Sequence, residues 1–409
     1  MKSIFTLFFL ALLNNGAFSQ RCGTVDYVIS HPKNTNNLLR SQSPGTPTRD
    51  TLANEVIIIP VVVHVLYNTG EQNISDQQVL SQITVLNNDY RRQNADTVNT
   101  PVPFKSVAAD SRIQFCLAKV DPQGFATSGI IHKYTKQSQF LADDQMKFTA
   151  SGGDDAWDAT RYLNIWVCNL FGRTLGYAVL PGSPAERDGV VIQYGCFGTT
   201  SNVAAPYNKG RTATHEIGHW LGLKHLWGDA FCGDDGIADT PPQETSNTYC
   251  PVFPHLSSCS VNPNGDMFMD FMDFTDDGCM NMFTQGQKAE MRGLFALGQP
   301  RNSFLNSTSC DGSNAIEAAP IPTTPEKAPL KITVYPNPFS SLIKIVSNDQ
   351  KSITGKILRL YDVTGKLYHT ETITSENTTL NINGLPAGIY ILKIEGGSES
   401  FVYKLIKQP

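Results

Sequence analysis

Two histidines one helical turn apart, followed by a third beyond a glycine, constrain this chain more than any other feature. Residues 215–225 read His-Glu-Ile-Gly-His-Trp-Leu-Gly-Leu-Lys-His. On a helix, His215 and His219 lie on the same face, so both imidazoles can reach one metal ion. Gly222 permits a sharp turn because glycine adopts left-handed dihedral angles at low cost. His225 can then return as a third ligand, and the pattern predicts a helix that ends at a metal site.

The type and number of these ligands indicate a hydrolytic metal centre. Three protein ligands leave zinc one open position, which is typical of catalytic rather than structural sites. Zinc held by neutral imidazoles lowers the pKa of its bound water toward ~7. Glu216 follows the first ligand, where it can take that proton and deliver it to a leaving amine. We therefore predict metal-assisted amide hydrolysis with Glu216 as the catalytic residue. A hydrolase of non-peptide amides or esters would need the same ligand spacing and remains an alternative.

Length and composition describe an exported protein with several domains. The 409 residues suffice for two or three domains, and 40% hydrophobic against 17% charged residues favours folded structure. The net charge is −5 without a basic stripe, which argues against nucleic acid as a partner. Residues 1–19 combine an early lysine, a short apolar run and small residues, which predicts a signal peptide cleaved after Ser19. No segment reaches transmembrane length, so we expect a secreted, extracellular or cell-surface protein.

The composition of the chain changes several times after the signal peptide. Residues 20–50 are polar and predict a pro-segment. Residues 51–310 contain the metal motif and predict the catalytic domain. Residues 311–330 are rich in Pro, Ala and Thr and predict a linker. Residues 331–409 carry short alternating segments separated by turns, which predict a small all-β sandwich without a catalytic cluster.

Within the catalytic region, the patterns predict an α/β fold built on a mixed sheet. Residues 55–67 form a β-branched run that suits a strand buried on both faces. Ser75 caps a predicted helix whose apolar residues recur with helical spacing. Further strands are expected near residues 112–120, 129–135, 162–170 and 189–195, and further helices near residues 212–222 and 285–297. Residues 226–284 are rich in Gly, Asp, Pro and Cys, and such a segment needs disulfides.

The motifs of this region resemble those of the pappalysin family of metzincin zinc metallopeptidases. Residues 215–225 match the metzincin zinc signature, and residues 211–214, 232–241 and 270–284 match motifs of the pappalysins. The similarity extends over roughly residues 55–297. It implies a metzincin domain with a twisted mixed sheet, a backing helix, an active-site helix and a loop-rich lower subdomain. It also implies protein or peptide substrates.

The resemblance assigns roles around the metal site that spacing alone does not give. Met272 would form a hydrophobic floor beneath the zinc. Asp277 would lie at the base of the pocket for the residue after the scissile bond and favour Arg, or less strongly Lys. A solvated or calcium-binding Asp277 is the alternative. Phe274 stands where the family usually has tyrosine, so a hydroxyl able to stabilise the transition state is missing. This departure leaves a catalytically weak binding or adhesion protein as the alternative function.

The resemblance further implies a disulfide-stapled, calcium-binding lower subdomain. The four late cysteines would pair as Cys232–Cys259 and Cys250–Cys279. The acidic loop nearby would bind calcium through hard oxygen ligands. Those ligands would come from Asp235, Asp239, Thr240 and Gln243. A plain solvated turn is the alternative for this loop.

An odd count of nine cysteines suggests a special role for the first of them. Cys22 follows the predicted signal cleavage site, and a thiolate is a strong zinc ligand. The segment resembles the cysteine switch of pappalysin-like zymogens, in which the thiolate fills the open zinc position. The remaining eight cysteines could then form four pairs. A disulfide-bonded or incidental Cys22 is the alternative to a latent zymogen.

The C-terminal module resembles a sorting domain of the type IX secretion system. Residues 334–339, 360–366 and 385–390 carry the similarity, which extends over nearly all of residues 331–409. It implies the type IX secretion machinery as a partner and export through the periplasm in two steps. A carbohydrate- or surface-binding β-module is the alternative. Together the motifs predict a secreted zinc endopeptidase made as a latent zymogen.

Overall fold

The computed structural model comprises two compact units, Met1–Ala318 and Ala319–Pro409, each with its own hydrophobic core. The structure describes residues 21–31, 55–260, 263–312, 332–347, 353–375, 377–396 and 399–409. The predicted signal peptide, most of the predicted linker and the rest of the predicted pro-segment lie outside these residues. Among the described residues, no helix combines the length and apolarity needed to cross a membrane.

A six-stranded mixed sheet forms the centre of the first unit. Its strands are β1 (Ile57–Tyr67), β2 (Ile113–Leu117), β3 (Ile130–Tyr134), β4 (Leu163–Cys168), β5 (Gly176–Ala178) and β6 (Val190–Gln193). They follow the order β2-β1-β4-β6-β5, and β3 also pairs with β1. Every pairing is parallel except that of β5, which runs antiparallel to β6. The sheet is mixed, as predicted, and β5 forms its edge beside the site described below.

Strand β1 explains why the sequence carries a long β-branched run. Three parallel strands pair with β1, so its faces are covered by other parts of the unit. Val61 and Val63 point into the main core, whereas Val62 and His64 are buried on the other face. The expectation of a strand buried on both faces is therefore confirmed.

Four helices accompany this sheet in the part of the chain that the structure describes. They are α1 (Thr24–Ser30), α2 (Asp76–Tyr90), α3 (Arg211–Trp220) and α4 (Gln285–Gly293). Helices α2 and α3 share one core with the sheet, and Ser75 caps α2 by accepting a hydrogen bond from the Gln78 amide. Helix α4 ends at Gly293 rather than at the predicted residue 297, because glycine is a poor helix former and the chain continues in turns.

Three disulfides stabilise the first unit. Two are Cys232–Cys259 and Cys250–Cys279, the same pairs that the resemblance implied for the lower subdomain. The third joins Cys116 on β2 to Cys310. Cys168 and Cys196 remain free and buried, so the fourth pair that the cysteine count allowed does not form. Cys168 packs into the core on one face of the sheet, whereas Cys196 lies near the Asp277 pocket described below.

The second unit consists of two antiparallel sheets around a common core, which confirms the predicted all-β sandwich. One sheet contains β7 (Ile332–Tyr335), β8 (Leu342–Ser347) and β11 (Asn377–Asn381). The other contains β9 (Ile357–Asp362), β10 (Leu367–Thr372), β12 (Gly388–Gly396) and β13 (Glu399–Lys407). Alternate side chains of these strands point inward, as the sequence pattern predicted.

Candidate metal centre and substrate pocket

The three predicted zinc ligands converge at the end of α3. The Nε2 atom of His215 lies 3.1 Å from that of His219 and 3.3 Å from that of His225, and the last two are 3.0 Å apart. His215 and His219 share a helix face, and the turn that brings His225 back uses Gly222 at a φ of 88°. The spacing of the motif therefore translates directly into a convergent cluster.

The other ring nitrogens determine which atoms are available to a metal. The Nδ1 atom of His215 lies 2.7 Å from the Phe271 carbonyl, and that of His219 lies 2.8 Å from the Leu223 carbonyl. Carbonyls only accept hydrogen bonds, so both Nδ1 atoms carry the hydrogen and the Nε2 lone pairs face one another. Burial lowers the pKa of His219 to about 3 and that of His215 well below its usual value. Neutral imidazoles with converging lone pairs fit a divalent cation.

His225 is oriented by an acid that the sequence analysis overlooked. Its Nδ1 atom lies 2.5 Å from Asp229 Oδ1, and its ring stacks on Trp227 at 4.4 Å between centroids. A carboxylate behind a ligating histidine fixes the ring and makes it a stronger donor to the metal. Asp229 follows His225 by four residues, and this spacing is the signal that sequence analysis could have used.

The predicted pro-segment reaches into this centre. The Sγ atom of Cys22 and one ligand atom from each of the three histidines lie within 4.8 Å of one another. Cys22 Sγ also lies 3.4 Å from Glu216 Oε2, and Thr24 donates a hydrogen bond to the same oxygen at 3.0 Å. Burial raises the pKa of Glu216 to about 8. Cys22 and Thr24 therefore both contact the same oxygen of the Glu216 carboxylate.

Arg21 occupies a closed pocket next to the histidine cluster. Its Nη2 atom lies 3.0 Å from Asp277 Oδ1, and its Nη1 atom donates to the Thr275 carbonyl. The guanidinium also lies over the Tyr207 ring, 5.3 Å from its centroid. Arg21 is 1% exposed and Asp277 is fully buried. Each charge of this buried pair needs the other as its partner, because an unpaired buried charge is costly.

The second oxygen of Asp277 is held by the protein backbone. Asp277 Oδ2 accepts hydrogen bonds from the amides of Lys209 at 2.8 Å and Arg211 at 3.2 Å. Arg211 also donates through its side chain to the Asp277 carbonyl and pairs with Asp89 on α2. These contacts tie the pocket to the first turn of α3, so pocket and histidines are positioned by one helix.

The pro-segment runs along the edge strand β5. The Leu175 amide donates to the Arg21 carbonyl at 3.2 Å, and the Gly23 amide donates to the Gly176 carbonyl at 2.9 Å. Cys22 and Gly176 pair in the parallel sense. A Cβ atom on Gly176 would lie 2.9 Å from Cγ of Glu216, so glycine is required where the strand passes the centre. Sequence analysis missed β5 because three residues show no usable periodicity.

Two further predicted residues border the histidines. Met272 is fully buried, and a Cβ atom on Gly218 of α3 would lie 2.4 Å from its sulfur, so the methionine packs directly beneath the helix. The Phe274 ring lies 4.8 Å from that of His225 and 5.0 Å from that of Trp227. Phe274 therefore occupies the rim of the centre and offers no hydrogen-bond donor there.

The four predicted calcium ligands have different hydrogen-bond partners. Asp239 accepts hydrogen bonds from Thr284 Oγ1 at 2.8 Å and the Gly286 amide at 2.9 Å, so its oxygens hold the start of α4. Asp235 and Thr240 are hydrogen-bonded to each other at 2.7 Å. Within the described residues, Asp235 Oδ2, Gln243 Oε1 and Asp270 Oδ2 are buried without a hydrogen-bond partner. Asp270 was not predicted as a calcium ligand, because it lies outside the acidic loop in a different segment of the chain.

The sheet with its edge strand, the three-histidine helix and the methionine beneath it define a metzincin-type metallopeptidase. Residues 149–296 match the peptidase M43 family described as pregnancy-associated plasma protein-A. An extracellular metalloprotease of Arthroderma benhamiae is 32% identical over 291 residues, which cover 68% of this chain and 91% of that protein. The chain therefore belongs to the pappalysin (M43) family and is a secreted metalloendopeptidase.

Solved structures show the same similarity. Mature mirolysin of Tannerella forsythia, in complex with a cleaved peptide, is 49% identical with a TM-score of 0.60, covering 61% of this chain and 96% of that chain. A promirolysin mutant of the same organism is 44% identical with a TM-score of 0.64, covering 70% and 97%. Residues 333–408 match the secretion system C-terminal sorting domain. This match confirms the expected type IX sorting domain.

Proposed function

We propose that this chain is a zinc endopeptidase that cleaves before arginine and is held latent by residues 21–24. The single observation that carries this proposal is the placement of Arg21 in the Asp277 pocket while Cys22 lies at the histidine cluster. One short segment thus covers the metal position, the catalytic carboxylate and the specificity pocket together. Substrates must replace all three contacts.

His215, His219 and His225 would hold the zinc through their Nε2 atoms. Zinc bound there supplies a Lewis acid for the scissile carbonyl and acidifies a water molecule. Glu216 would take the proton of that water and pass it to the leaving amine. Cys22 would be the fourth ligand only in the latent chain.

The preference for arginine follows from the contacts of Arg21. Only Oδ1 of Asp277 is available to an arginine side chain in the pocket, because Oδ2 accepts hydrogen bonds from backbone amides. The second guanidinium nitrogen meets the Thr275 carbonyl, and the Tyr207 ring covers the guanidinium face. A planar guanidinium can use these separate partners at once, whereas an ammonium is a point charge. Lysine would therefore be accepted less well.

Chain direction explains why residues 21–24 resist cleavage. In a substrate, the arginine in the pocket follows the scissile bond, so the attacked carbonyl belongs to the residue before it. In the pro-segment, the residue at the metal is Cys22, which comes after Arg21. The pro-segment therefore crosses the centre in the opposite direction to a substrate. Its peptide bonds are not presented to Glu216 in a productive orientation.

Cleavage mapping tests this function. The purified precursor is incubated with a denatured protein, with and without a chelator, and the products are sequenced by mass spectrometry. We expect chelator-sensitive cuts that precede arginine and, less often, lysine. Glu216→Ala should keep zinc, measured by elemental analysis, and lose turnover. An Asp277→Asn variant with unchanged cleavage sites would refute the arginine pocket, and full activity in Glu216→Ala would refute the mechanism.

We also propose a calcium site in the lower subdomain, with a revised ligand set. Asp235, Gln243 and Asp270 each bury an unpartnered oxygen, and oxygen ligands suit calcium. Burial raises the pKa of Asp235 to about 6 and that of Asp270 well above its usual value. The Asp235 carboxylate raises the pKa of Asp270 further. A divalent cation would remove this cost of burying charge.

The calcium proposal is tested on Glu216→Ala protein, which avoids self-digestion. Calcium should raise the melting temperature, and Asp270→Asn should abolish the increase. Asp239→Asn is the matched control, because Asp239 holds the start of α4 instead. It should lower stability in both conditions and retain the response to calcium. No response to calcium in the parent protein would leave the loop as an ordinary turn.

A further inference from the structure

A buried ion pair that hydrolysis does not use lies behind the edge strand β5. Lys147 is fully buried, and its Nζ atom lies 2.8 Å from Asp144 Oδ1. The ammonium is surrounded by three aromatic rings, at 5.6 Å from Tyr27, 5.3 Å from Trp166 and 5.0 Å from Tyr177. Burying such a pair in an apolar cluster is costly unless its remaining hydrogen-bonding positions are filled.

One of those positions is filled by the pro-segment. The Tyr27 hydroxyl donates to Asp144 Oδ2 at 2.5 Å, and its ring stacks on Tyr177 with 5.2 Å between centroids. The other oxygen, Oδ1, already accepts the Tyr177 hydroxyl at 2.9 Å as well as the Lys147 ammonium. Tyr27 is only 3% exposed. Release of the pro-segment would therefore uncover one carboxylate oxygen and one tyrosine face.

The position of this ion pair relative to the cleft follows from the path of the pro-segment. Arg21 lies in the pocket for the residue after the scissile bond, so the chain beyond Cys22 follows the opposite half of the cleft. Thr24 accepts a hydrogen bond from the Ala178 amide, and α1 then carries Tyr27 over β5 to the far face of the sheet. Residues of a substrate that precede the scissile bond would leave along this same rim.

We propose that Asp144, Lys147 and Tyr177 form a binding site for a substrate tyrosine N-terminal to the scissile bond. Tyr27 fills this site, hereafter the tyrosine site, in the latent chain. The inference rests on the proposed function, since it assumes that the pro-segment leaves and that peptides take its place. It extends recognition beyond the Asp277 pocket to a second position on the other half of the cleft.

The chemistry of the tyrosine site selects a phenol. Asp144 Oδ2 needs a hydrogen-bond donor, and the Tyr177 ring needs a flat partner, so a side chain must offer both. Phenylalanine would stack and leave the carboxylate oxygen without its donor. A carboxylate would be repelled by Asp144, and a second cation would lie close to Lys147 and Arg187, whose Nη1 atom is 3.6 Å from Asp144 Oδ2. Tyrosine meets these conditions, through the same hydroxyl and ring contacts that Tyr27 makes in the latent chain.

A binding experiment tests the tyrosine site without relying on catalysis. Two synthetic copies of residues 20–31, both with Cys22→Ala, are titrated into enzyme that has released its pro-segment. One copy keeps Tyr27 and the other carries Tyr27→Phe. A hydrogen bond to a charged group is worth enough that we expect roughly tenfold weaker binding of the phenylalanine copy. Equal Kd values for the two copies would overturn the inference.

A substrate series then tests use of the tyrosine site in cleavage. Peptides with one arginine carry a single tyrosine, or a phenylalanine, at successive positions before the bond. We expect roughly tenfold lower KM for tyrosine at one position, with little change in kcat, since the contact lies away from the reacting atoms. Asp144→Asn should abolish this preference. Tyr177→Phe, which keeps the stacking ring and the carboxylate, should retain it.

The outcomes separate this inference from the proposed function. Cleavage before arginine with equal KM for both series would support the endopeptidase and overturn a substrate role for the tyrosine site. If no peptide is cut, the proposed function fails, and the binding comparison alone decides whether the site recognises a phenol.

Discussion

At the scale of single residues, Phe274 stands where the family resemblance implies a tyrosine. Its ring contacts His225 and Trp227 at the rim of the centre. Phe274→Tyr adds only a hydroxyl, so the parent enzyme is itself the control. Because loss of one transition-state donor costs roughly 10²–10³ in kcat, we expect the variant to raise kcat by about tenfold or more. An unchanged kcat in steady-state assays would mean that another group already supplies the donor.

Position 218 requires a glycine because α3 packs closely against Met272. A Cβ atom there would lie 2.4 Å from the methionine sulfur, which is buried and cannot move freely. We expect Gly218→Ala to lower the free energy of unfolding by roughly 1–3 kcal/mol through overpacking, measured by thermal or denaturant unfolding. Gly293→Ala at the end of α4 is the matched control, since nothing lies within 4 Å of its Cβ position. Equal stability of the two variants would contradict this account.

Functional residues could be predicted from the sequence only where the residues that act together are close in the sequence. The three histidines and Glu216 follow from helical spacing, and the structure brings them together as that spacing requires. The acidic loop was less informative, because Asp235 and Asp239 look equivalent in sequence. Tertiary contacts distinguish the two residues. Asp239 accepts a hydrogen bond at the start of α4, whereas Asp235 lies near Asp270 of a distant segment. Arg21 is adjacent to Cys22 in the sequence, whereas Asp277, with which Arg21 forms an ion pair, lies 256 residues away.

At the scale of elements, β5 is the strand that the pro-segment follows past the histidine cluster. It is the one strand of the first sheet whose outer edge pairs with the pro-segment in the described residues. Sequence periodicity identified the longer strands and α2, since many residues contribute to each pattern. A strand of three residues that begins with glycine gives no such signal. The strand that pairs with the pro-segment was therefore not predicted from the sequence.

At the element scale, the proposed latency depends on the segment paired with β5, and Cys22 is the residue of that segment at the histidine cluster. Cys22→Ala removes the sulfur while Arg21 and Thr24 keep their partners. We expect the purified precursor of this variant to cleave an arginine peptide, or process itself, without a trigger. Cys168→Ala is the control, because this free thiol is buried on β4 away from the histidines. A Cys22→Ala precursor that stays latent would show that Arg21 and Thr24 suffice.

At the scale of the whole molecule, catalysis and export belong to separate units. The core of the first unit is built from its mixed sheet, its helices and the lower subdomain. The core of the second unit is built from β7 to β13. The histidines, Glu216 and the Asp277 pocket all lie in the first unit, and the sorting domain match lies in the second. Each unit therefore has the apolar core that independent folding requires.

This separation predicts opposite phenotypes for two changes in the native host. A chain truncated after residue 318 keeps every residue of the first core, so we expect it to retain zinc and endopeptidase activity. It lacks the sorting domain and should accumulate in the periplasm. Full-length Glu216→Ala should instead reach the medium or cell surface without activity. Fractionation with immunodetection and a peptide assay measures both. Release of the truncated chain at the normal level would refute the role of residues 333–408 in export.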